Sequence, residues 1–347
     1  MVRSIVLAGL GIVALASACG SGASSTGTAT GTGAPSGLSP APVVTDAGSA
    51  PPLVAEAGTD GVSPPPPPPA QACTGKLPQP LDNTWTLSVG GATRTVNLHV
   101  PANYDPTKPA PVVLNFHGFT SNASQEDLLA GMSAKADKEG FIAVHPEGLG
   151  SPQSWNAGAC CGYATQNNVD DIAFVNAILD TAEQLLCVDT HRVFSTGMSN
   201  GGFLSQRLGC ELSTRIAAIA PVAGVMGMKT CSPSRPVPVM EFHGTADPLV
   251  PWGGSTSLGF PSVSDTFAGW GSRDGCTGQP VETFRKGDSH CSTYSACASG
   301  TTVTLCTVEG GGHTWPGGLP VPSLGYTTTD LSATDAMWTF FQNNPMP

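Results

Sequence analysis

The sequence has no cluster of lysine or arginine. Its 14 basic residues are outnumbered by 25 acidic ones, for a net charge of −11 over 347 residues. A phosphate backbone is held by concentrated positive surface, so nucleic acid is not an expected partner. No Cys-x-x-Cys pair occurs, and His290 beside Cys291 is an isolated neighbour, so no metal site is expected, and no cofactor. The apolar run over residues 5–16 is shorter than the ~20 residues that a membrane-spanning helix needs. Preceded by Arg3 and followed by Ala16-Ser17-Ala18, it reads instead as the apolar core of a signal peptide over residues 1–18.

Directly after that cleavage point stands Cys19. Leu15-Ala16-Ser17-Ala18-Cys19 resembles a bacterial lipoprotein box, although Leu15 stands four places before the cysteine where the pattern prefers three. Two outcomes are therefore expected: a lipid anchor to membrane through Cys19, or simple secretion. Either way the protein is extracellular, or on the outer surface or in the periplasm. Residues 19–72 are almost wholly Gly, Ser, Thr, Ala and Pro and close on a six-proline run. Such a stretch buries too little apolar surface to offset its ordering entropy and reads as a linker. Residues 73–347 are ample for a single catalytic domain. That domain holds ten cysteines: Cys73, Cys160, Cys161, Cys187, Cys210, Cys231, Cys276, Cys291, Cys297 and Cys306. An even count in an exported chain predicts up to five disulfides, with Cys276, Cys291, Cys297 and Cys306 pairing among themselves. Cys160 and Cys161 are expected to join two separate bridges rather than bond to each other.

Residues 85–89 and 93–100 alternate in character around Gly90-Gly91, which predicts a β-hairpin. The run from Pro111 to Phe116 predicts a buried strand ending at His117-Gly118. Residues 124–138 predict a helix stopped by Gly140, and residues 141–144 a strand ending at His145-Pro146. Ile172, Val175, Leu179, Ala182 and Leu186 recur at spacings of three and four, the apolar face of a long helix. Asp170 and Asp171 before it read as N-cap and first turn rather than as a catalytic carboxylate pair. Further strands are predicted over 192–197, 216–222, 236–242 and 301–308, and helices over 200–212 and 333–343. Strands alternating with helices predict an α/β fold, its mostly parallel sheet covered by helices on both faces.

Gly197-Met198-Ser199-Asn200-Gly201 falls between one such strand and the helix after it. With 43 glycines in the chain, the bare Gly-x-Ser-x-Gly pattern has little weight. It occurs once, however, and where a nucleophile elbow must lie: glycines let the backbone turn sharply while the serine hydroxyl stays exposed. In an α/β-hydrolase the acid and the histidine follow the serine in that order. Only His290 and His313 come after a plausible acid, and His313 follows a strand and the turn Gly310-Gly311-Gly312. Asp247 closely follows the strand ending at Phe242. Ser199 is thus the expected nucleophile, His313 its base and Asp247 the partner of His313. The oxyanion is expected to meet the backbone N–H of Asn200 and that of Phe119, with Thr120 next in line.

These motifs, with Trp155-Asn156-Ala157-Gly158-Ala159-Cys160-Cys161-Gly162, Val169-Asp170-Asp171, His243-Gly244-Thr245-Ala246-Asp247 and the run Gly310 to Gly317, resemble one family. It is the bacterial esterases grouped as polyhydroxybutyrate depolymerase-like and feruloyl esterase-like carbohydrate esterases. The resemblance spans residues 73–345. It implies hydrolysis of carboxylic esters, with xylan-linked ferulate, acetyl groups or short hydroxyalkanoate polyesters as substrates, and it carries Ser199, Asp247 and His313 over as the triad.

Aromatic residues are only 6% of the chain, yet Trp155 and Trp315 lie in these motifs. They are expected, with His117, to contact substrate, a stacked hydroxycinnamoyl ring gaining about 0.5–1.5 kcal/mol; plain packing is the alternative. The expected function is an exported serine ester hydrolase acting on feruloyl or related polymer esters. Polyhydroxybutyrate or oligoester hydrolysis is the alternative, followed by acetyl xylan esterase or serine peptidase. An inactive hydrolase used as a surface-binding module is the reading from another class.

Overall fold

The computed structural model describes residues 73–347; the expected signal peptide, Cys19 and linker, residues 1–72, lie outside the described residues. Strands β1 (Asp82–Val89) and β2 (Ala92–His99) pair antiparallel across Gly90 and Gly91, whose φ values of 58° and 80° suit glycine. The wholly buried β3 (Ala110–Phe116) follows. The helix expected over 124–138 is two helices, α1 (Ala123–Ala130) and α2 (Met132–Glu139). Gly131, at φ 63°, ends the first with its N–H on Asp127 O at 2.7 Å. The Asp127 carboxylate then accepts from Ser133 N–H at 2.8 Å in the first turn of the second.

Strand β4 (Ile142–Pro146) leads through the short α3 (Gly162–Gln166) to the long α4 (Asp171–Leu185). Then come β5 (Val188–Met198), α5 (Asn200–Glu211), β6 (Ala218–Val222) and β7 (Val239–Gly244). Helix α6 (Val263–Arg273), the hairpin β8 (Val281–Lys286) and β9 (Ser289–Tyr294), β10 (Val303–Val308) and α7 (Ala333–Gln342) complete the order. Helix α6 was not foreseen because Gly269 and Gly271 weaken its helical signal; Phe267 and Trp270 hold it to the core. The exposed β8 shows no apolar alternation from which to read it.

Among the described residues the strands form one sheet in the order β1-β2-β4-β3-β5-β6-β7-β10-β9-β8. The six strands from β4 to β10 run parallel, and the two at each edge pair antiparallel. One core cluster lies under α4, α5 and α6, and the other under α1, α2 and α7. This is the α/β-hydrolase architecture, and it brings the ends of β3, β5, β7 and β10 to the same edge.

Five disulfides join the ten cysteines: Cys73–Cys187, Cys160–Cys161, Cys210–Cys231, Cys276–Cys297 and Cys291–Cys306. The last joins residues directly opposed in the β9–β10 ladder. The expectation of separate bridges for Cys160 and Cys161 is corrected, since the two bond to each other. Among the described residues no other cysteine is left for either of them, because the remaining eight pair among themselves.

Candidate active site

Ser199 stands where β5 runs into α5, at φ 55° and ψ −121°. A positive φ is costly for a residue with a side chain and persists only where surroundings impose it. Here the Ser199 N–H donates to Val222 O and its carbonyl accepts from Phe203 N–H, both at 2.8 Å. The flanking glycines follow from the same tight turn, since a Cβ at Gly197 or Gly201 would be driven into Phe116 O.

The loop after β3 lies beside this serine: a Cβ at Gly118 would stand 3.4 Å from Ser199 Cβ. Of its backbone donors, Thr120 N–H is already taken by Gln153 O at 3.1 Å, whereas Phe119 N–H has no partner among the described residues. Asn200 N–H heads α5, where no intrahelical acceptor exists. These are the two donors named from sequence. His117 Nε2 accepts from Gly148 N–H at 2.9 Å, which makes Nδ1 the donor to Gly118 O at 2.7 Å. Burial pushes this imidazole down to about 4, so it is neutral at pH 7 and fixes the loop.

His313 and Asp247 meet. Beyond β10, the turn Gly310-Gly311-Gly312 places His313 so that its N–H donates to Leu324 O at 2.8 Å. Its Nδ1 lies 2.7 Å from Asp247 Oδ2, with both residues buried. Asp247, three residues past β7, receives Leu249 N–H and Val250 N–H on Oδ1 at 2.8 Å each. Burial raises the Asp247 carboxyl, but His313, His243 and the Val250 N–H outweigh it and hold the group below the ordinary carboxylate range. A serine on an elbow, unoccupied N–H donors beside it and an imidazole paired to a buried carboxylate are what acyl transfer requires.

Three expected substrate contacts are corrected. Trp155, Trp315 and His117 are each 0% exposed, so none offers a face to a ligand. The Trp155 indole N–H donates to His117 O and that of Trp315 to Thr334 Oγ1, each at 2.9 Å. The aromatic ring next to the serine loop is Phe119, which is half-buried and packs so close to Gly162 that a Cβ there would approach Phe119 Cε2 to 2.5 Å.

Other residues of the site were missed. The Asn200 side chain clamps the backbone of Trp155, accepting from its N–H at 2.7 Å and donating to its carbonyl at 3.0 Å. Asp171 does begin a helix behind its N-cap Asp170, but it is fully buried. It pairs with Arg94 at 2.8 Å and accepts Asn156 N–H at 2.7 Å. His243 lies behind Asp247, its Nε2 donating to Val250 O at 2.8 Å. These three side chains, each anchored to backbone, are not separable from ordinary core polar residues by type or spacing. No group of three or more potential ligands able to hold a metal ion occurs among the described residues.

No family model matches the chain. Feruloyl esterase C of Emericella nidulans is 30% identical over 254 residues, covering 70% of this chain and 82% of that protein. Feruloyl esterase B of Piromyces equi is 32% identical over 234 residues and 63% of this chain, but the match spans only 42% of that longer protein. The putative esterase NocK of Nocardia uniformis is 29% identical over 273 residues, 71% of this chain and 76% of the relative. In structure, the acetyl xylan esterase of Aspergillus awamori superposes with a TM-score of 0.54 at 14% identity, covering 75% of this chain and 99% of its own, a likeness of fold.

Proposed function

Because the chain belongs to the carbohydrate-esterase family of the feruloyl esterases, we propose that this ester hydrolase is exported and cleaves hydroxycinnamoyl esters of plant cell-wall polysaccharide through Ser199, His313 and Asp247. The observation that carries the reading is the 2.7 Å contact of His313 Nδ1 with buried Asp247, at the sheet edge where Ser199 tops its elbow. His313 Nε2 takes the Ser199 proton as Oγ attacks the ester carbonyl carbon. Asp247 stabilises the imidazolium so formed. The N–H groups of Asn200 and Phe119 receive the charge that develops on the carbonyl oxygen. The imidazolium returns its proton to the departing alcohol oxygen, and water then releases the acid by the same steps in reverse. Export rests on the signal peptide over residues 1–18, with Cys19 as the lipid attachment point, residues 19–72 as tether and 73–347 as the catalytic domain.

Two measurements test this. Ser199→Ala should keep the fold and lower kcat by several orders of magnitude. Retention of more than about a tenth of the activity, under ~1.4 kcal/mol of transition-state stabilisation, removes Ser199 from the role. Wild-type enzyme should show higher kcat/KM on methyl ferulate than on soluble 3-hydroxybutyrate oligomers; the reverse ranking reassigns it to oligoesters.

A further inference from the structure

Strand β7 carries two buried ionisable side chains that no catalytic step described above uses. Glu241 and His243 are each 1% exposed, and two residues apart on a strand they point to the same face of the sheet. His243 Nε2 donates to Val250 O at 2.8 Å and lies 3.5 Å from Asp247 Oδ2. Val250 N–H in turn donates to Asp247 Oδ1 at 2.8 Å. Both backbone groups of Val250 are therefore in use, one on the acid beside His313 and one on His243. Through them the turn from Asp247 to Val250 is tied back to the strand it leaves.

A carbonyl only accepts, so Nε2 carries the proton and Nδ1 faces the other way. There it meets Glu241 Oε1 at 3.7 Å, and neither atom has a hydrogen-bond partner among the described residues. Glu241 Oε2 accepts from Gln206 Nε2 at 3.5 Å, and Gln206 Oε1 accepts the Trp270 indole N–H. An unprotonated Nδ1 facing an ionised carboxylate would set lone pair against lone pair and leave a bare charge in a buried site, which is costly. One proton held on either atom brings the pair to zero net charge.

We propose that Glu241 and His243 are positioning residues of the esterase site. Through Val250, His243 holds the turn in the place that aims Asp247 Oδ2 at His313, and Glu241 fixes the ring in the orientation that turns Nε2–H to Val250 O. The proposal rests on the reading that Ser199, His313 and Asp247 are the triad. Stability alone does not call for such a pair, since a buried ionisable couple is often no better than two apolar side chains of similar volume. The ionisation tendencies agree with a shared proton. Burial raises the Glu241 carboxyl against the pull of His243. Burial would lower His243, but Glu241 and then Asp247 outweigh it and raise the imidazole.

The test compares two amide replacements of His243. Glutamine carries its N–H about as far from the backbone as Nε2 and can reach Val250 O; asparagine carries it only as far as Nδ1. On methyl ferulate, His243→Asn should lower kcat by about 10²-fold, the scale of a misplaced catalytic group, with KM within about twofold. His243→Gln should recover about tenfold of that loss. Equal kcat in two variants that circular dichroism shows to be folded overturns the proposal, as does a loss that appears in KM instead. If His243→Asn does not fold, Glu241 decides in the same way. Glu241→Gln, whose amide N–H meets Nδ1, should keep about half of kcat or more, whereas Glu241→Leu should lose about tenfold or more. Equal activity of those two overturns the proposal. Labelling by a fluorophosphonate probe keeps this apart from the triad. Label lost in Ser199→Ala, and attached more slowly in His243→Asn than in His243→Gln, supports the positioning role. Label lost in Ser199→Ala with equal rates in the two His243 variants keeps the nucleophile and overturns the positioning role. Label persisting in Ser199→Ala removes the nucleophile itself, and the positioning role with it.

Discussion

Trp315 is a fully buried indole whose N–H is satisfied by Thr334, and Trp155 is its counterpart on the other face of the sheet. Both stand in motifs that surround the site, so their positions suggested substrate contact. Their burial assigns them to the frame instead. Trp315→Ala should therefore cost about 3–5 kcal/mol of stability, as large-to-small core changes do. It should lower kcat/KM for methyl ferulate and for p-nitrophenyl acetate by the same factor. A loss at least fivefold greater for the aromatic ester would return Trp315 to a substrate-binding role. The same reasoning applies at Asn200, where the backbone N–H stands at the head of α5 while the side chain is engaged with Trp155.

Among the elements, the segment from Trp155 to Gly162 has little regular structure and depends on its neighbours. Its backbone is tied to α5 through Asn200 and to α4 through Asp171, which accepts Asn156 N–H. Arg94 on β2 completes the tie, pairing with Asp171 while its guanidinium lies 3.8 Å from the centre of the Phe174 ring. Removing one partner of a buried pair strands the other charge and typically costs about 3–5 kcal/mol. Asp171→Ala should show that loss in urea unfolding and should also lower kcat, because the freed segment no longer supports Asn200 and His117. A loss below about 1 kcal/mol would mean that the loop stands without the pair. Residue spacing did announce a helix start at Asp170 and Asp171, and Asp170 is its cap. It could not announce Arg94, 77 residues away in the chain, as the partner.

Over the whole molecule, the disulfides differ in how much chain they close. Cys73–Cys187 closes 114 residues and Cys291–Cys306 only 15. In the chain-entropy account the long closure contributes about 4–5 kcal/mol and the short one about 3. Replacing Cys73 and Cys187 together by serine should therefore lower stability more than the same change at Cys291 and Cys306, measured by denaturant unfolding of oxidised protein. Equal losses would place their worth in local packing instead. Mass spectrometry should find no free thiol among the ten domain cysteines; two or more would contradict the five-bridge arrangement.

The sequence by itself determined the alternation of the central strands with helices and the candidates for chemistry, though not α3, α6 or the β8–β9 hairpin. Apolar periodicity marks strands and helices locally. Ser199, Asp247 and His313 each follow a strand at a glycine turn, a signal contained within a few residues. Proximity in the chain raised the expectation that Cys276, Cys291, Cys297 and Cys306 pair among themselves, and the structure pairs them as Cys276–Cys297 and Cys291–Cys306. Only the tertiary structure decided which of the motif residues face a ligand and which are buried as framework. Burial is a sum over contacts from distant segments: Trp155 is enclosed by Phe116, Phe174 and the His117 loop, none of them its sequence neighbours. The same holds for Glu126, an ordinary helix residue by type and spacing that the fold leaves 1% exposed.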